Sequence, residues 1–305
     1  MLVDILKALA DPSRLRLVAV LLRGEFTVQE LTIILQMGQS RISRHLKILT
    51  EVGILSVKRQ GTWSYYRAGG DSPFFESILP VFEKELETLP ERNEDLSGIA
   101  AVLEERRRRS QLFFDHNAGQ WDSLARTLLP VPEYNSALLK QIPNGARILE
   151  IGIGTGGLLK ELAAVGSRVI GVDHSPAMLE EAGHRLAADG VTGIDLRLGE
   201  MSHLPLSDSS VDCAVLNMVL HHAADPQEVF FEIRRILAGK GRLVLADLAR
   251  HDRELAREQL ADQWLGFEEN ELHQWLVAAG FKSILVEQIS PLQGQETVLL
   301  VKAQI

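Results

Sequence analysis

The sequence predicts an α/β chain of two domains. A small helical front domain closes with a β-hairpin, and a larger back domain rests on a Rossmann-like sheet of mostly parallel strands. Three observations carry this. First, the chain has 305 residues, too many for one small domain and suited to two at roughly 100–200 residues each. Second, short helical patterns fill residues 1–90, whereas residues 144–305 alternate strand-like and helix-like segments in a βαβ rhythm. Third, the charge is uneven. The first seventy residues hold ten Lys/Arg against five Asp/Glu, a net of +5, and the rest carries −14, for −9 overall. Residues 91–143 join the halves; they are helical and charge-rich, with EERRRR at 104–109, and the polar stretch 91–97 is the expected boundary.

Composition excludes several classes. At 46% hydrophobic and 24% charged, the chain is no disordered segment, collagen or disulfide scaffold. The longest apolar runs are about six residues (LVAVLL at 17–22), against the ~20 needed to cross a bilayer. With no apolar leader, a cytoplasmic location and no membrane partner are expected. The single cysteine, Cys213, excludes an internal disulfide and a thiolate-rich metal site. It lies in a predicted strand and reads as a small hydrophobe.

In the front domain, residues 3–22 place Ile5, Leu6, Leu9, Leu15, Leu17, Val18, Leu21 and Leu22 at helical spacing. Asp11-Pro12 interrupts them, with Asp11 or Ser13 as the cap of a second helix. Thr27 and Glu30 form a capping box that opens a short helix to about Gln36. After Met37-Gly38-Gln39, another helix from about Ser40 to Val52 buries Ile42, Leu46 and Leu49 on one face. This pair is a helix-turn-helix, and the alternating residues 55–67, turning at Gln60-Gly61-Thr62, add a wing. The window 41–67 has six basic residues against Glu51 alone, the electrostatic footprint of a phosphate-binding surface. The candidate face for double-stranded DNA is Gln39, Ser40, Arg41, Ser43, Arg44 and Lys47 on the helix, with Lys58 and Arg59 on the wing. Arg41 and Arg44 are expected on guanine edges or phosphates, and the serines on phosphate.

The stretches KALADPSRLRLV (7–18), QSRISRHLKIL (39–49) and KRQGTWSYYRA (58–68) resemble the ArsR/SmtB family of winged-helix repressors. The resemblance implies a homodimer joined through residues 3–22 and 74–89. A twofold dimer presents two recognition helices, so the operator is expected to be an inverted repeat. One departure stands out. Many members of that family sense metals through paired cysteines on the first helix of the helix-turn-helix, or His and Asp pairs on the last helix. Residues 30–35 contain no thiol and residues 71–89 no histidine, so no metal is expected.

The back domain opens with a strand at 147–151 that runs into a glycine-rich turn and a helix at about 158–165. Two readings fit the turn. Gly152, Gly154 and Gly157 satisfy the dinucleotide pattern GxGxxG; Glu150, Gly152, Gly154 and Gly156 satisfy the ExGxGxG of S-adenosylmethionine (SAM) methyltransferases. Both expect an acid at the end of the next strand, and Asp173 supplies it, suited to two ribose hydroxyls. A helix then starts at Ser175-Pro176, bringing Met178 toward an adenine edge. Gly199 and Glu200 end a third strand with an acid beside a backbone N–H. Strands at 211–217 and 242–247 flank His221-His222, and 281–288 and 296–303 close the chain.

The stretches ILEIGIGTGG, VIGVDHSPAML, LGEMSHLPLSDSSVD, VLHHAADPQEVFFEIRRIL and GKGRLVLADL, in this order, resemble class I SAM-dependent methyltransferases, especially the ubiquinone/menaquinone-biosynthesis-like group. The resemblance implies a seven-stranded sheet with the last strand antiparallel. It places SAM against Gly152, Gly154, Asp173 and Glu200, within a set that includes Glu150, Gly156, His174, Met178, Gly199 and Asn217. Residues 113–122 (FFDHNAGQWD) resemble the lid such enzymes fold over SAM. The product would be S-adenosylhomocysteine (SAH), and the acceptor a small molecule. His221 or His222 would remove the acceptor's proton, and Asp247 would face the acceptor or shape its pocket. The lone cysteine argues against the arsenite-methylating enzymes, which rely on several thiols. An alternative remains open: a repressor that senses SAM or SAH without turnover. The EERRRR stretch is expected to be a solvated connecting helix.

Overall fold

The computed structural model describes residues 2–69, 72–290 and 292–305. It separates into two compact units, Met1–Arg106 and Arg107–Ile305. The break falls inside one long helix, Arg92–Asn117, and not at 91–97.

In the first unit, α1 (Leu2–Leu9) is followed by α2 (Pro12–Leu21), which starts where the Asp11 side chain accepts from Arg14 N at 3.1 Å. A short strand β1 (Phe26–Thr27) leads into α3 (Val28–Leu35). The capping box is complete: Thr27 Oγ1 accepts from Glu30 N at 3.3 Å, and Glu30 Oε2 accepts from Thr27 N at 2.8 Å. The recognition helix α4 (Gln39–Glu51) buries Ile42, Leu46 and Leu49. Next come β2 (Leu55–Gln60) and β3 (Trp63–Ala68), an antiparallel hairpin that turns through Gly61 at φ +57°. β1 joins β3 from the other side. The hairpin is therefore a wing anchored to the helical core by a third strand. α5 (Pro73–Leu86) and α6 (Arg92–Asn117) follow. Gly98 of α6 lies so close to α3 that a Cβ there would stand 2.8 Å from Ile34 Cα.

The EERRRR stretch is not uniformly solvated. Arg106 is buried: it donates to Glu30 Oε1 and Oε2 at 2.7 and 2.8 Å and to Glu25 O at 3.0 Å, and its guanidinium lies over the Phe26 ring. The capping glutamate of α3 thus also anchors α6.

The second unit contains α7 (Trp121–Leu128), α8 (Asn135–Leu139), β4 (Arg147–Ile151), α9 (Leu159–Val165), β5 (Arg168–Asp173), α10 (Pro176–Ala188) and β6 (Asp195–Leu198). After these come β7 (Val211–Asn217), α11 (Pro226–Ile236), β8 (Leu237–Leu248), α12 (Glu254–Gln259), α13 (Glu269–Ala278), β9 (Lys282–Ile289) and β10 (Val298–Gln304). The strand order is β6-β5-β4-β7-β8-β10-β9. The first five strands are parallel, and β10 runs antiparallel to both neighbours. This is the expected seven-stranded Rossmann-like sheet. The chain winds outward from β4 to β5 and β6, then returns to place β7 on β4's other side. That reversal opens a crevice beyond the strands' C-terminal ends, where α/β folds of this kind bind ligands. β4 and β7 are buried almost throughout, so the crevice has a rigid floor. Among the described residues, no helix is long and apolar enough to cross a membrane.

Candidate functional site

On the recognition helix, Gln39, Ser40, Arg41, Ser43, Arg44 and Lys47 are all exposed. Burying Ile42, Leu46 and Leu49 turns these polar residues to the surface. They are not equivalent. Arg41 donates to Ser13 Oγ at 2.6 Å, which ties the start of α4 to α2. Lys47 reaches Glu51 at 3.8 Å as a surface pair. On the wing, Arg59 is exposed, whereas Lys58 is partly buried. The Lys58 side chain is only 16% exposed and lies 4.0 Å from Glu25, which Arg67 also approaches at 3.9 Å.

In the second unit, the turn after β4 separates the two glycine readings. Gly152, Gly154 and Gly156 have φ of +67°, +52° and +76°, and Gly157 is not among the positive-φ residues. The left-handed set is the one that follows Glu150 in ExGxGxG. At Gly152 a Cβ would stand 2.1 Å from Val219 Cγ2, so packing as well as φ demands glycine there. At Gly154 the nearest atom to such a Cβ is Trp121 Nε1 at 3.9 Å.

Beneath this loop Glu150 is 2% exposed, and its Oε2 has no hydrogen-bond partner. Burial, with the charges of Asp173 and Glu161, pushes its carboxyl up to about 8. Asp173 ends β5, as expected. Its Oδ2 accepts from Gly154 N at 2.8 Å and its Oδ1 from Ser175 N at 2.9 Å, so it braces the glycine loop. Burial raises its pKa against these bonds and the nearby His174. Gly199 donates to Asp173 O at 2.9 Å, bringing the end of β6 alongside. His174, Glu200 and His222 line a narrow cleft with Met201 and Ala223, while Met178 is buried beside it. Asn217, at the end of β7, accepts from the Tyr134 hydroxyl at 2.8 Å; the sequence reading missed Tyr134.

Residues 113–122 pack against the loop and the start of α10. Ser175 Oγ donates to Asp115 Oδ1 at 2.6 Å, Thr155 Oγ1 donates to Asp122 Oδ1 at 2.7 Å, and Arg185 pairs with Asp122. The Phe114 ring lies 4.8 Å from His222, 4.9 Å from Trp121 and 5.8 Å from His174, centroid to centroid. A ligand that reaches His174 and Met178 therefore meets Phe114.

The histidine pair has divergent surroundings. His221 Nδ1 is 2.7 Å from Asp247 Oδ1, and its Nε2 is 3.8 Å from Asp262 Oδ1. Burial opposes charge on His221, but the two carboxylates outweigh it and raise its pKa to about 9. As an imidazolium near neutral pH, His221 lacks the free lone pair that a general base needs. Burial, then the charge on His221, holds His222 well below the usual histidine range. Asp247 is fully buried and accepts from Leu220 N at 2.8 Å and Leu248 N at 2.7 Å. Asp262, which the sequence reading did not single out, sits in the loop after α12. No sequence motif marks it.

Comparison with known proteins agrees with this architecture. Residues 11–57 match the family described as bacterial regulatory protein, arsR family, and residues 149–245 match the methyltransferase domain family. The arsenic resistance transcriptional regulator ArsR1 of Pseudomonas putida is 46% identical over 70 residues, 23% of this chain and 55% of that protein. An arsenite methyltransferase of Halobacterium salinarum is 33% identical over 109 residues, 35% of this chain and 28% of that protein. The chain thus spans little more than half of the one relative's length and under a third of the other's. A solved complex between the Trm112 methyltransferase activator and a methyltransferase of Haloferax volcanii holds a chain of the same fold. That chain matches with a TM-score of 0.52 and 21% identity, over 63% of this chain and 96% of its own length. Together with the winged helix and the seven-stranded sheet, these matches place an arsR-family DNA-binding domain and a methyltransferase domain, in that order, on one chain.

Proposed function

We propose that the chain is a transcriptional regulator whose second domain binds SAM and methylates a small molecule, leaving SAH. One observation carries this reading: a buried Glu150 oxygen without a donor lies beneath a loop of three left-handed glycines, with Asp173 across from it. Burying a carboxylate without a partner is costly, and the cationic amino-acid end of SAM is a fitting partner. Bound there, SAM would supply an activated methyl group. The chain's own residues position and shield. Asp173 would exchange Gly154 N–H and Ser175 N–H for sugar hydroxyls. Glu200 and the backbone beside it would meet the adenine edge. Phe114 and Trp121 would have to move aside and then close, excluding water. Gly156, His174, Met178, Gly199 and Asn217 complete the proposed wall.

The acceptor we propose is a small molecule other than arsenite. The one thiol, Cys213, is fully buried in β7, and burial pushes its pKa up to about 12. In the first domain, Gln39, Ser40, Ser43 and Arg44 would meet operator DNA, with Arg59 on the wing. Leu2, Val3 and Leu6 of α1 and Val81 of α5 are exposed apolar residues, which supports a homodimer through these helices and hence an inverted-repeat operator.

The test pairs two measurements on the full-length chain: SAM titration into an operator gel-shift, and an SAH-release assay with pooled metabolites. SAH release above a no-acceptor blank supports the enzyme. Operator affinity that moves tenfold with no release supports the sensing alternative. Failure to bind either SAM or SAH overturns both.

A further inference from the structure

Beyond the glycine loop, four ionisable side chains meet in the interior of the second unit: His221, His222, Asp247 and Asp262. Asp262 is 2% exposed, and neither carboxylate oxygen has a hydrogen-bond partner. A buried carboxylate without a donor on either oxygen is among the costliest arrangements in a protein interior, and native folds rarely leave one unless something else binds it. Two imidazoles face it. His221 Nε2 and His222 Nδ1 lie 3.8 and 3.7 Å from Asp262 Oδ1. One donor atom from each of the three residues falls within 4.8 Å of the others. An ion bonded at about 2.0–2.2 Å to each ligand in a tetrahedron holds them roughly 3.4 Å apart. Small side-chain movements would close the site.

The surroundings favour metal ligation over a chance meeting. Asp247 holds His221 Nδ1 at 2.7 Å, and is itself fixed by Leu220 N and Leu248 N. A bound ion would take the place of the Nε2 proton, and that chain of bonds would then keep Nδ1–H on Asp247 with Nε2 turned to the ion, the carboxylate–histidine–metal relay common to metal sites. The loop that carries Asp262 is pinned to the same turn, because Gln263 N and Trp264 N both donate to His221 O, at 3.1 and 3.0 Å. Ligands from two separate stretches of chain are thereby fixed relative to one another.

We propose that His221, His222 and Asp262 form a binding site for a divalent first-row transition-metal ion, with Asp247 as the residue that orients His221. Two imidazoles and one carboxylate suit Zn²⁺, Co²⁺, Ni²⁺ or Fe²⁺. They do not suit Ca²⁺ or Mg²⁺, which prefer all-oxygen shells, or Cu⁺, which prefers sulfur. Three protein ligands leave a coordination position open. The site does not depend on SAM binding, and it replaces the expectation of a chain without metal. Position in the sequence concealed it: Asp262 lies forty residues beyond the histidines, in a loop without a motif.

Cobalt titration of the chelator-treated, full-length chain tests the site. Visible d–d absorption reports nitrogen–oxygen ligation, and Zn²⁺ competes as a second probe. The expected result is stoichiometric Co²⁺, displaced by Zn²⁺. Asp262→Asn should weaken binding at least 100-fold, and Asp247→Asn about 10- to 100-fold. His273→Ala, at an exposed position of α13, should leave binding unchanged. If the Asp262 variant does not fold, X-ray absorption of the wild-type cobalt complex decides: two imidazoles in the first shell support the site, and an all-oxygen shell overturns it. Absence of stoichiometric cobalt on the wild-type chain, or an unaltered spectrum in folded Asp262→Asn, also overturns it.

Discussion

In the first unit the well-buried charges meet their opposites. Arg106 grips Glu30 through two bonds, Arg16 does the same to Asp95, and Glu25 stands between Lys58 and Arg67. In the second unit the buried carboxylates meet histidines and backbone N–H groups instead: His221 lies beside Asp247 and Asp262, and His174 beside Asp173. Glu150 and Asp262 keep oxygens that no donor reaches, and Asp173 is satisfied only by backbone N–H groups. Paired charge is scaffold: it locks α6 and the wing to the winged-helix core. Unpaired buried carboxylate signals a ligand, because its desolvation cost persists until something cationic or hydrogen-bond-donating arrives.

The contrast can be broken at its strongest point first. Arg106→Ala would strand Glu30 in the interior and should destabilise the winged-helix unit by about 3–5 kcal/mol, read as an early unfolding transition in calorimetry. A shift below ~1 kcal/mol would show that the pair is not structural. Asp173→Ala should weaken SAM binding on the order of 100-fold, about 2.7 kcal/mol, while operator affinity stays within about twofold. Arg44→Ala should act in the opposite sense, weakening operator binding roughly tenfold and lowering the salt slope by about one, with SAM binding intact. Lys58→Ala sharpens this: it should lower the melting temperature more than it lowers operator affinity, because Glu25 holds that side chain.

Glu150 offers a pH readout. Its folded carboxyl is raised from 4.5 to about 8, so its contribution to stability is complete below the unfolded value and is lost as pH rises through about 8. Wild-type melting temperature should therefore fall between about pH 6 and about pH 9 by more than that of Glu150→Gln, which stays neutral throughout. The smallest effect belongs to Lys47→Ala. Both partners of its pair with Glu51 are well exposed, and stability should change by less than ~0.5 kcal/mol.

Much of this was legible in the sequence, and the exceptions have a common cause. The capping box at Thr27, the Asp11 cap, the wing and the turn of Gly152, Gly154 and Gly156 depend on neighbours within a few residues, where spacing is geometry. The same holds for Asp173 at the end of a predicted strand. The contacts of Lys58, Arg106, Tyr134 and Asp262 were not legible. Each meets a partner tens of residues away: Glu25, Glu30, Asn217 and the histidine pair. Only tertiary packing brings those together. The second carboxylate beside His221 was hidden for the same reason, since it comes from the loop after α12.

The central claim, that the glycine loop with Glu150 and Asp173 is a SAM site, is tested most directly by calorimetric titration of the full-length chain with SAM. The titration is repeated near neutral pH in two buffers of different ionisation enthalpy. The account predicts stoichiometric binding with a buffer-dependent heat, because the incoming cation drives the proton from Glu150. No heat from SAM or from SAH, in a chain that is folded and binds DNA, would contradict it.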